Sequence, residues 1–327
     1  MEDTFNNKTV IVTGSGQGIG RAIAMAFGEH GANVVTNNRK PGGTRFAQVG
    51  KERYDALNNA DKERYDAIFN QIGGDAKSTA DAINSFGGRA QPAFGDITED
   101  GDARRIVDAA VSEFGSVDIL VNVAGAFGGG ALTSLTEDEY DRVTRIKVKG
   151  YFNMMKYAIP YMEEKHWGRV INCSSKSMMG DVVRMAHYCT ANAAAVGLTQ
   201  AAACEYFSSG ITCNAFSPFA RTRNSYEADI LGGPGETIFD DMKFPTAESA
   251  PDPKMLTPFI MWLCTEQASN VTGTFFTLNG NKVGLHQFPI MTRSIFKQGG
   301  EPWTLDELSN TVPRSLLQGY ENVLHYQ

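Results

Sequence analysis

A glycine-rich turn near the start of the chain constrains the fold more than any other feature. Residues Thr13–Gly20 read TGSGQGIG. They follow Lys8–Val12, a β-branched run typical of a buried strand, and precede Arg21–Gly28, whose apolar residues have helical spacing. A strand, a glycine-rich turn and a helix in this order begin a nucleotide-binding βαβ unit.

Each glycine of the turn has an expected steric role in holding a dinucleotide. Gly14 allows the tight turn, Gly18 lets backbone N–H groups approach a pyrophosphate, and Gly20 brings the helix close to the sheet. The N-terminus of that helix offers unpaired N–H donors and a partial positive charge to the phosphates. A tight turn without a ligand is the alternative, but the flanking strand and helix patterns favour the nucleotide.

Charge and composition argue against several other classes of protein. The 327 residues carry a formal net charge of −7, which is unfavourable for binding nucleic acid or an anionic membrane surface. No apolar run approaches the ~20 residues of a membrane span, and the acidic first residues do not resemble a signal peptide. The five cysteines lack metal-ligand spacing, so we expect reduced thiols and no metal site. We therefore expect a cytoplasmic enzyme.

Strand and helix patterns alternate along the rest of the chain. Further strands are predicted at Asn33–Thr36, Arg89–Phe94, Asp118–Asn122, Gly168–Cys173, Ile211–Phe216 and, closing the series, Thr274–Leu278. Helical patterns lie between them, among them Ala103–Phe114 and Tyr188–Phe207. This alternation predicts an α/β fold with a doubly wound parallel β-sheet, a Rossmann fold, whose ligands bind beyond the carboxyl ends of the strands.

The chain divides into one predicted domain, residues 1–285, and a C-terminal extension, residues 286–327, with a helix pattern at Thr304–Leu317. Within the domain, residues 219–250 lie between the last two predicted strands, and the family resemblance given below implies that they cover the substrate as a lid. An apolar substrate pocket is predicted from Tyr226, Ile230, Leu231, Ile238, Phe239 and Met242 of this lid, together with Phe127–Gly130, Met178, Met179 and Met185. About half of these residues could instead only pack the lid onto the domain.

An insertion at residues 40–74 contains the repeated hexapeptide KERYDA, at Lys51–Ala56 and Lys62–Ala67. The repeat length of eleven residues is close to three helical turns, so Tyr54 and Tyr65 share one face with Leu57 and Ile68. We expect one or two inserted helices that pack on the domain edge or on a partner subunit, rather than a catalytic lid.

These motifs together resemble the short-chain dehydrogenase/reductase family over nearly the whole chain. The similar segments are Thr13–Gly20, Asp96, Asn122–Gly125, Ser174-Ser175, Tyr188 and Ser217-Pro218. A weaker similarity, at Asn214–Pro218 and Phe259–Cys264, is to the (3R)-hydroxyacyl-CoA dehydrogenase domain of multifunctional β-oxidation enzymes. The resemblance implies an oxidoreductase that interconverts a ketone and a secondary alcohol on an aromatic, alicyclic or acyl substrate.

The resemblance also implies a nicotinamide cofactor. Its expected contacts are Gly14, Ser15, Gln17, Gly18, Ile19, Gly20, Asn38, Arg39, Asp96, Ile97, Asn122, Ala124, Gly125, Tyr188, Asn192, Pro218 and Thr222. An NAD-selective chain normally places a carboxylate at the end of the second strand, where this chain has Asn37-Asn38-Arg39-Lys40. Arg39 suits a 2′-phosphate, so we expect NADP(H) in preference to NAD(H), with a solvated basic turn as the alternative.

The catalytic residues implied by the resemblance include one exchange. Tyr188 is the expected acid/base and Ser175 fixes the substrate oxygen, but the family's lysine, one helical turn after the tyrosine, is Asn192. At the place of a family asparagine stands Lys147, which we expect to supply the missing charge to Tyr188. Lys176 is a second possible cation. If Lys147 is a surface residue instead, the chain is a cofactor-binding pseudoenzyme, a partner subunit or a non-redox lyase or isomerase.

The family resemblance implies a homodimer or homotetramer. The patterns Asp138–Met162 and Tyr188–Phe207 correspond to the helices of the family's dimer bundle, and the second is rich in alanine. We expect no nucleic-acid or membrane partner, and a small carbonyl or alcohol as substrate.

Overall fold

The computed structural model describes residues 4–43, 54–180, 182–231, 247–287, 291–299 and 301–320. At its centre is one eight-stranded sheet with the strand order β3-β2-β1-β4-β5-β6-β7-β8. The strands are β1 (Thr9–Thr13), β2 (Asn33–Asn38), β3 (Arg89–Phe94), β4 (Ile119–Asn122), β5 (Gly168–Cys173), β6 (Ile211–Phe219), β7 (Phe275–Asn279) and β8 (Lys282–His286).

Helices cover both faces of this sheet. They are α1 (Gly18–Glu29), α2 (Asn59–Ile72), α3 (Ala76–Ser85), α4 (Asp100–Phe114), α5 (Glu137–Arg145), α6 (Tyr151–Glu164), α7 (Ala186–Tyr206), α8 (Arg223–Leu231), α9 (Thr257–Trp262) and α10 (Leu305–Thr311). No helix among the described residues has both the length and the apolar character needed to cross a bilayer.

Alternate residues of the central strands belong to two separate cores. Val10 and Val12 of β1 pack in one cluster with Phe27 of α1, whereas Ile11 packs in another with Ile106 of α4 and helix α6. Because both faces are covered, all five residues of β1 are buried, which explains its continuous apolar run. The predicted doubly wound Rossmann fold is confirmed.

Strand β1 lies between β2 and β4. The chain therefore adds β2 and β3 on one side of β1, and then crosses over to add β4 and the later strands on the other side. This is the switch point at which an open α/β sheet has a crevice beyond its strand ends.

The sheet contains a further strand after β7, which the sequence analysis did not predict. Strand β8 pairs antiparallel with β7, and Asn279 faces Lys282 across a two-residue loop. Gly280 begins that loop with φ +57°, a conformation that favours glycine at the first position of a type II′ hairpin turn.

The helix predicted at Asp138–Met162 is interrupted by one wide turn. Residues Ile146–Gly150 form a π-helical turn between α5 and α6, in which the Tyr151 N–H donates to the Ile146 carbonyl. Helix α10 is also shorter than the predicted Thr304–Leu317. It stops before Pro313, which has no N–H with which to continue the helical bonds.

The predicted insertion contains α2, which begins at the cap residue Asn58, whose side chain accepts from the Asp61 N–H at 2.9 Å. Tyr65 is buried, and the Tyr54 ring meets it edge to face at 5.3 Å, so the two tyrosines do pair. Residues 44–53, with the first half of the first repeat, lie outside the described residues. Residues 232–246 of the predicted lid, including Ile238, Phe239 and Met242, also lie outside them.

Candidate active site

A large cleft of about 1960 Å³ opens at the carboxyl ends of the central strands. Most of the sequence-predicted site residues line it together. They are Gly14, Gln17, Gly18, Ile19, Gly20, Asn38, Arg39, Asp96, Ile97, Ala124, Gly125, Lys147, Ser175, Tyr188, Pro218 and Thr222. Residues from distant parts of the sequence meet here because parallel strands end at the same edge of the sheet.

Three predicted site residues lie behind the cleft wall. The Ser15 hydroxyl accepts from the Asn37 N–H at 2.8 Å and so ties the glycine-rich turn to β2. Asn122 donates to Asn172 at 2.9 Å and joins β4 to β5. Asn192 is fully buried in α7 beneath Tyr188, to whose carbonyl it donates at 2.8 Å. Ser15 and Asn122 therefore support the cleft from inside the sheet.

The glycine-rich turn has the shape that a pyrophosphate requires. A Cβ on Gly14 would lie 2.8 Å from the Ala124 Cα, and one on Gly20 would lie 2.3 Å from the Gly14 carbonyl oxygen. A Cβ on Gly18, by contrast, would have only the Thr222 side chain nearby, at 3.4 Å. Helix α1 begins there with no side-chain cap and no acidic residue in its first turn. Its first N–H groups are therefore available to an anion.

The end of β2 presents unsatisfied polar groups toward the same cleft. The buried side-chain oxygen of Asn38 has no hydrogen-bond partner among the described residues. Arg39 follows it, exposed at the rim of the cleft. Directly beside it, after the neighbouring strand β3, the Asp96 carboxylate accepts from the Thr98 N–H at 3.0 Å and the Thr98 hydroxyl at 2.9 Å, which fixes its orientation. This donor and acceptor set fits the ribose and adenine of a dinucleotide.

Tyr188 and Ser175 meet at the other end of the cleft. Tyr188 lies in the first turn of α7, and Ser175 follows β5 and accepts from the Ser177 hydroxyl at 2.8 Å. Desolvation raises the pKa of Tyr188 to about 12, although hydrogen bonds from Ser175 and Asn192 act in the lowering direction. The Phe127 ring meets the tyrosine edge to face at 5.1 Å. The phenol is therefore held protonated, beside the serine hydroxyl.

Lys147 is a buried residue, and its alternative interpretation as a surface residue is wrong. It lies in the π-helical turn, only 4% exposed, and lines the cleft. Its ammonium donates to the Cys173 carbonyl and, at 3.0 Å, to the Tyr151 hydroxyl. Burial lowers the pKa of Lys147. The hydrogen bonds that act on the pKa of Tyr188 come from Ser175 and Asn192.

Tyr151 contacts the buried lysine and lies near Tyr188. Its hydroxyl lies 2.9 Å from the Ala124 carbonyl oxygen and 3.2 Å from that of Cys173. Burial raises the pKa of Tyr151 well above its ordinary value, and interactions with Cys173 and Tyr188 raise it further. The lysine and the two tyrosines thus form one polar cluster around the end of β5.

The buried side-chain oxygen of Asn192 has no hydrogen-bond partner among the described residues. Asn192 stands one helical turn after Tyr188, so this oxygen is an unsatisfied acceptor behind the tyrosine. Lys176, the second candidate cation, also lines the cleft. Its backbone N–H donates to the Ser217 hydroxyl at 2.8 Å.

Two residues at this site were not predicted from the sequence: Phe69 in the cleft lining and Tyr151 buried beside Lys147. Phe69 of α2 lines the cleft, so the insertion does not lie only on the domain edge as we expected. Tyr151 could have been suspected from its position four residues after Lys147, which places both on one helix face. Of the predicted apolar pocket, Phe127 lines the cleft; the lining contains none of Met178, Met179 and Met185.

The fold and this cleft define the class of protein. The family model described as short chain dehydrogenase matches residues 8–72 and 55–224. The chain belongs to the short-chain dehydrogenase/reductase family and is an oxidoreductase that uses a nicotinamide cofactor, NAD(H) or NADP(H).

Individual relatives support the same class. The chain is 29% identical to an uncharacterized oxidoreductase of Thermotoga maritima, over 86% of this chain and 99% of that one. It is 30% identical to the 3-oxoacyl-[acyl-carrier-protein] reductase FabG of Staphylococcus epidermidis, over 84% and 98%. It is 31% identical to the peroxisomal multifunctional enzyme A of Dictyostelium discoideum, over 84% of this chain but only 53% of that protein.

A solved structure agrees with these sequence relatives. The crystal structure of a short chain dehydrogenase from Mycobacterium avium aligns with a TM-score of 0.72 and 28% identity. The alignment covers 96% of this chain and 95% of the other. The similarity therefore extends over nearly the whole fold.

Proposed function

We propose that this protein interconverts a ketone and a secondary alcohol on an apolar, acyl-type substrate, with NADP(H) as its preferred cofactor. The observation that carries the proposal is the placement of Ser175 and Tyr188 in one cleft with an uncapped glycine-rich helix start. A proton donor and a dinucleotide cradle in the same cleft are the two components that this reaction needs.

In the reducing direction, Ser175 binds the carbonyl oxygen of the substrate and Tyr188 donates a proton to it. The cofactor, when bound, supplies the hydride to the carbonyl carbon. Because desolvation raises the pKa of Tyr188 to about 12, the phenol remains a proton donor throughout the neutral range. In the oxidising direction the same phenolate must accept a proton, which requires a nearby cation to lower its pKa.

Lys147 is the proposed source of that positive charge, as the buried cation of the polar cluster that includes Tyr188. Its ammonium donates to the Tyr151 hydroxyl at 3.0 Å in that cluster. Lys147 and Asn192 are in this way the exchanged counterparts of the asparagine and lysine of the family pattern.

The preference for NADP(H) rests on the end of β2. No carboxylate follows this strand, and Arg39 and Lys40 line the cleft where the ribose of the adenosine half is expected. A guanidinium pairs with a phosphate more strongly than with a hydroxyl group.

The acyl character of the proposed substrate comes from one relative, which is named as a 3-oxoacyl-[acyl-carrier-protein] reductase. We propose a 3-oxoacyl or similar ketone for this chain, in a homodimer or homotetramer that acts in the cytoplasm.

A second candidate function is that of a cofactor-binding subunit without redox activity. The observation in its favour is the loss of the family lysine at Asn192. The test is to titrate the purified protein with NADPH and NADH by fluorescence, and then to assay a panel of cyclic, aromatic and 3-oxoacyl ketones.

We expect turnover of at least one ketone, and we expect Tyr188→Phe to abolish it while NADPH binding stays nearly unchanged. Cofactor binding without turnover of any ketone would favour the second candidate. Failure to bind either cofactor would overturn both.

A further inference from the structure

The inserted helix α2 reaches the part of the cleft nearest the glycine-rich turn and the end of β2. Its residue Phe69 lines the cleft together with the segment Arg39–Gly43. The helix packs on α8, the helix that follows β6 at the opposite rim. The insertion therefore bridges two sides of the cleft rather than projecting away from it.

The chain after α2 is fixed against the glycine-rich turn itself. A Cβ on Gly74 would lie 2.5 Å from the Gly16 carbonyl oxygen, and one on Gly16 would lie 2.7 Å from the Asp75 Cα. Such close approach requires glycine at both positions. The segment that leaves α2 therefore lies directly against the turn that is expected to hold the pyrophosphate.

Asp75, which directly follows Gly74, also holds the segment between α2 and α3 in place. Its carboxylate accepts from the Ser78 N–H and from the Gly42 N–H, both at 2.8 Å. The first bond caps α3, and the second holds the loop that follows β2. Phe69 therefore sits on a helix whose exit is tied both to the phosphate turn and to the ribose side of the cleft.

We propose that Phe69 is a cofactor-binding residue that covers the adenosine half of the bound dinucleotide and slows its release. This inference rests on the proposed binding of NADP(H). Phe69 is partly buried, and an aromatic ring at this place adds apolar contact to the nucleotide and displaces water from its phosphates and ribose. The insertion thereby covers the adenosine half of the cofactor and leaves the end of the cleft at Tyr188 open.

The test compares Phe69→Ala with Ile68→Ala in the full-length protein. Both substitutions remove a partly buried apolar side chain from neighbouring positions of α2, but only Phe69 lines the cleft. NADPH dissociation is measured by stopped-flow fluorescence after mixing with an excess of a competing nucleotide. We expect Phe69→Ala to raise the dissociation rate constant about tenfold, the scale of a lost contact between an aromatic ring and a nucleotide base. Ile68→Ala should change it less than twofold.

A second readout locates the contact on the cofactor. The affinity for 2′-phospho-ADP-ribose, which lacks the nicotinamide, should fall by the same factor as that for NADPH, and Phe69→Tyr should restore both. Equal effects of Phe69→Ala and Ile68→Ala would overturn the inference, as would a loss restricted to NADPH.

These outcomes are distinguishable from failure of the proposed function. Binding of NADPH and of 2′-phospho-ADP-ribose by the unmutated protein requires no turnover. If the protein binds the cofactor but reduces no ketone, the role of Phe69 can still be measured. If Phe69→Ala changes neither rate nor affinity, the proposed oxidoreductase activity is unaffected.

Discussion

At position 147 the chain carries a lysine whose ammonium group is out of contact with bulk solvent. Burial of a charged amine is costly, and the hydrogen bonds to the Cys173 carbonyl and to Tyr151 offset only part of that cost. Its lowered pKa follows from this environment. A side chain kept charged at such cost in a cleft is a candidate for function.

We expect Lys147→Ala to reduce turnover by ~10²–10⁴, the range typical of positioned acid/base groups. The ammonium exists only below the lowered pKa of Lys147, so activity of the unmutated enzyme should fall as the pH rises through that value. In Lys147→Ala the alkaline limb should move upward, because it is then set by deprotonation of Tyr188, whose pKa is raised by desolvation. A pH–rate profile measures both effects, and Lys149→Ala, an exposed lysine two residues away, is the matched control.

The exchange itself predicts a coupled effect. The double variant Lys147→Asn with Asn192→Lys should recover more activity than either single variant, because both residues belong to the polar cluster around Tyr188. Turnover measured for all four proteins gives the coupling. Full activity of Lys147→Ala would contradict the role of Lys147 and direct attention to Lys176.

Arg39 carries the prediction on cofactor choice. Arg39→Ala should weaken NADPH binding by roughly 1.5 kcal/mol, the low end for a charged hydrogen bond because the guanidinium is exposed, and should leave NADH nearly unchanged. Titration by fluorescence measures both affinities. Arg104→Ala, exposed on α4 and outside the cleft lining, is the control. Equal affinity of the unmutated protein for both cofactors would remove the basis for this prediction.

At the residue scale, motif spacing correctly predicted those cleft residues whose backbone, rather than side chain, is expected to contact the cofactor. Gly14, Gly18 and Gly20 lie in the predicted turn between β1 and α1, because the steric limits on a tight turn are local. Spacing did not predict the burial of Lys147 beside Tyr151, because a π-helical turn changes which residues face inward. Spacing also placed Met185 in the pocket, whereas it is fully buried and outside the cleft lining.

At the scale of elements, β5 inside the sheet and β3 at one edge both have the predicted bounds. Burial alone does not explain this, because β3 is mostly exposed or half-buried and β5 contains Arg169 and Asn172. Strand β8 was missed at the other edge, where Val283 and Leu285 are exposed and the strand has no continuous apolar run. The insertion was recognised as helical from its repeat, but no local pattern shows which surface it contacts.

The segment that joins the insertion to α3 gives a prediction about stability. Asp75→Ala should lower the free energy of unfolding by about 1 kcal/mol, because it removes the cap of α3 and the bond to Gly42. Urea denaturation measures this loss. Asp81→Ala, which removes only the exposed ion pair with Lys77 on the same helix, should cost less.

The pH dependence of this effect has a definite sign. Partial desolvation raises the pKa of Asp75, but the N–H donors of Ser78 and Gly42 outweigh it and hold the pKa below 3.8. The stabilisation is therefore complete above about pH 4 and is lost as the pH falls below 3.8. The difference between Asp75→Ala and the unmutated protein should disappear in acid; a difference that persists there would contradict the capping role.

At the scale of the whole molecule, one face of α7 is suited to contact with a second copy. Ala193, Gly197 and Ala201 are exposed on it at intervals of four residues, and Phe152 of α6 is 50% exposed. Small residues at this spacing let two helices approach closely. The expected homodimer or homotetramer remains a prediction, and this face is where we place its contact.

Gly197→Arg should separate the subunits. Beyond its own helical turn, a Cβ at Gly197 would meet none of the described residues within 4 Å, so we expect the substitution to disturb a neighbouring copy rather than the fold. Light scattering should give a multiple of 35.5 kDa for the unmutated protein and a smaller assembly for the variant. Gly101→Arg, at an exposed glycine of α4, is the control. A 35.5 kDa particle for the unmutated protein at micromolar concentration would contradict the oligomer.

The wide turn at Ile146–Gly150 makes the position of Lys147 depend on chain length as well as on residue type. Its i→i+5 bond accommodates one residue more than a regular α-helix would. Removing a single residue there, such as Val148, would convert the segment into a regular α-helical turn in which α5 and α6 keep their faces, and only residues of the turn, Lys147 among them, would change direction. Lys147 would then lose its placement at the Cys173 carbonyl although every charged residue was retained. The loss of one codon would thus disconnect this cation in evolution, and an alignment of charged positions alone would not reveal it.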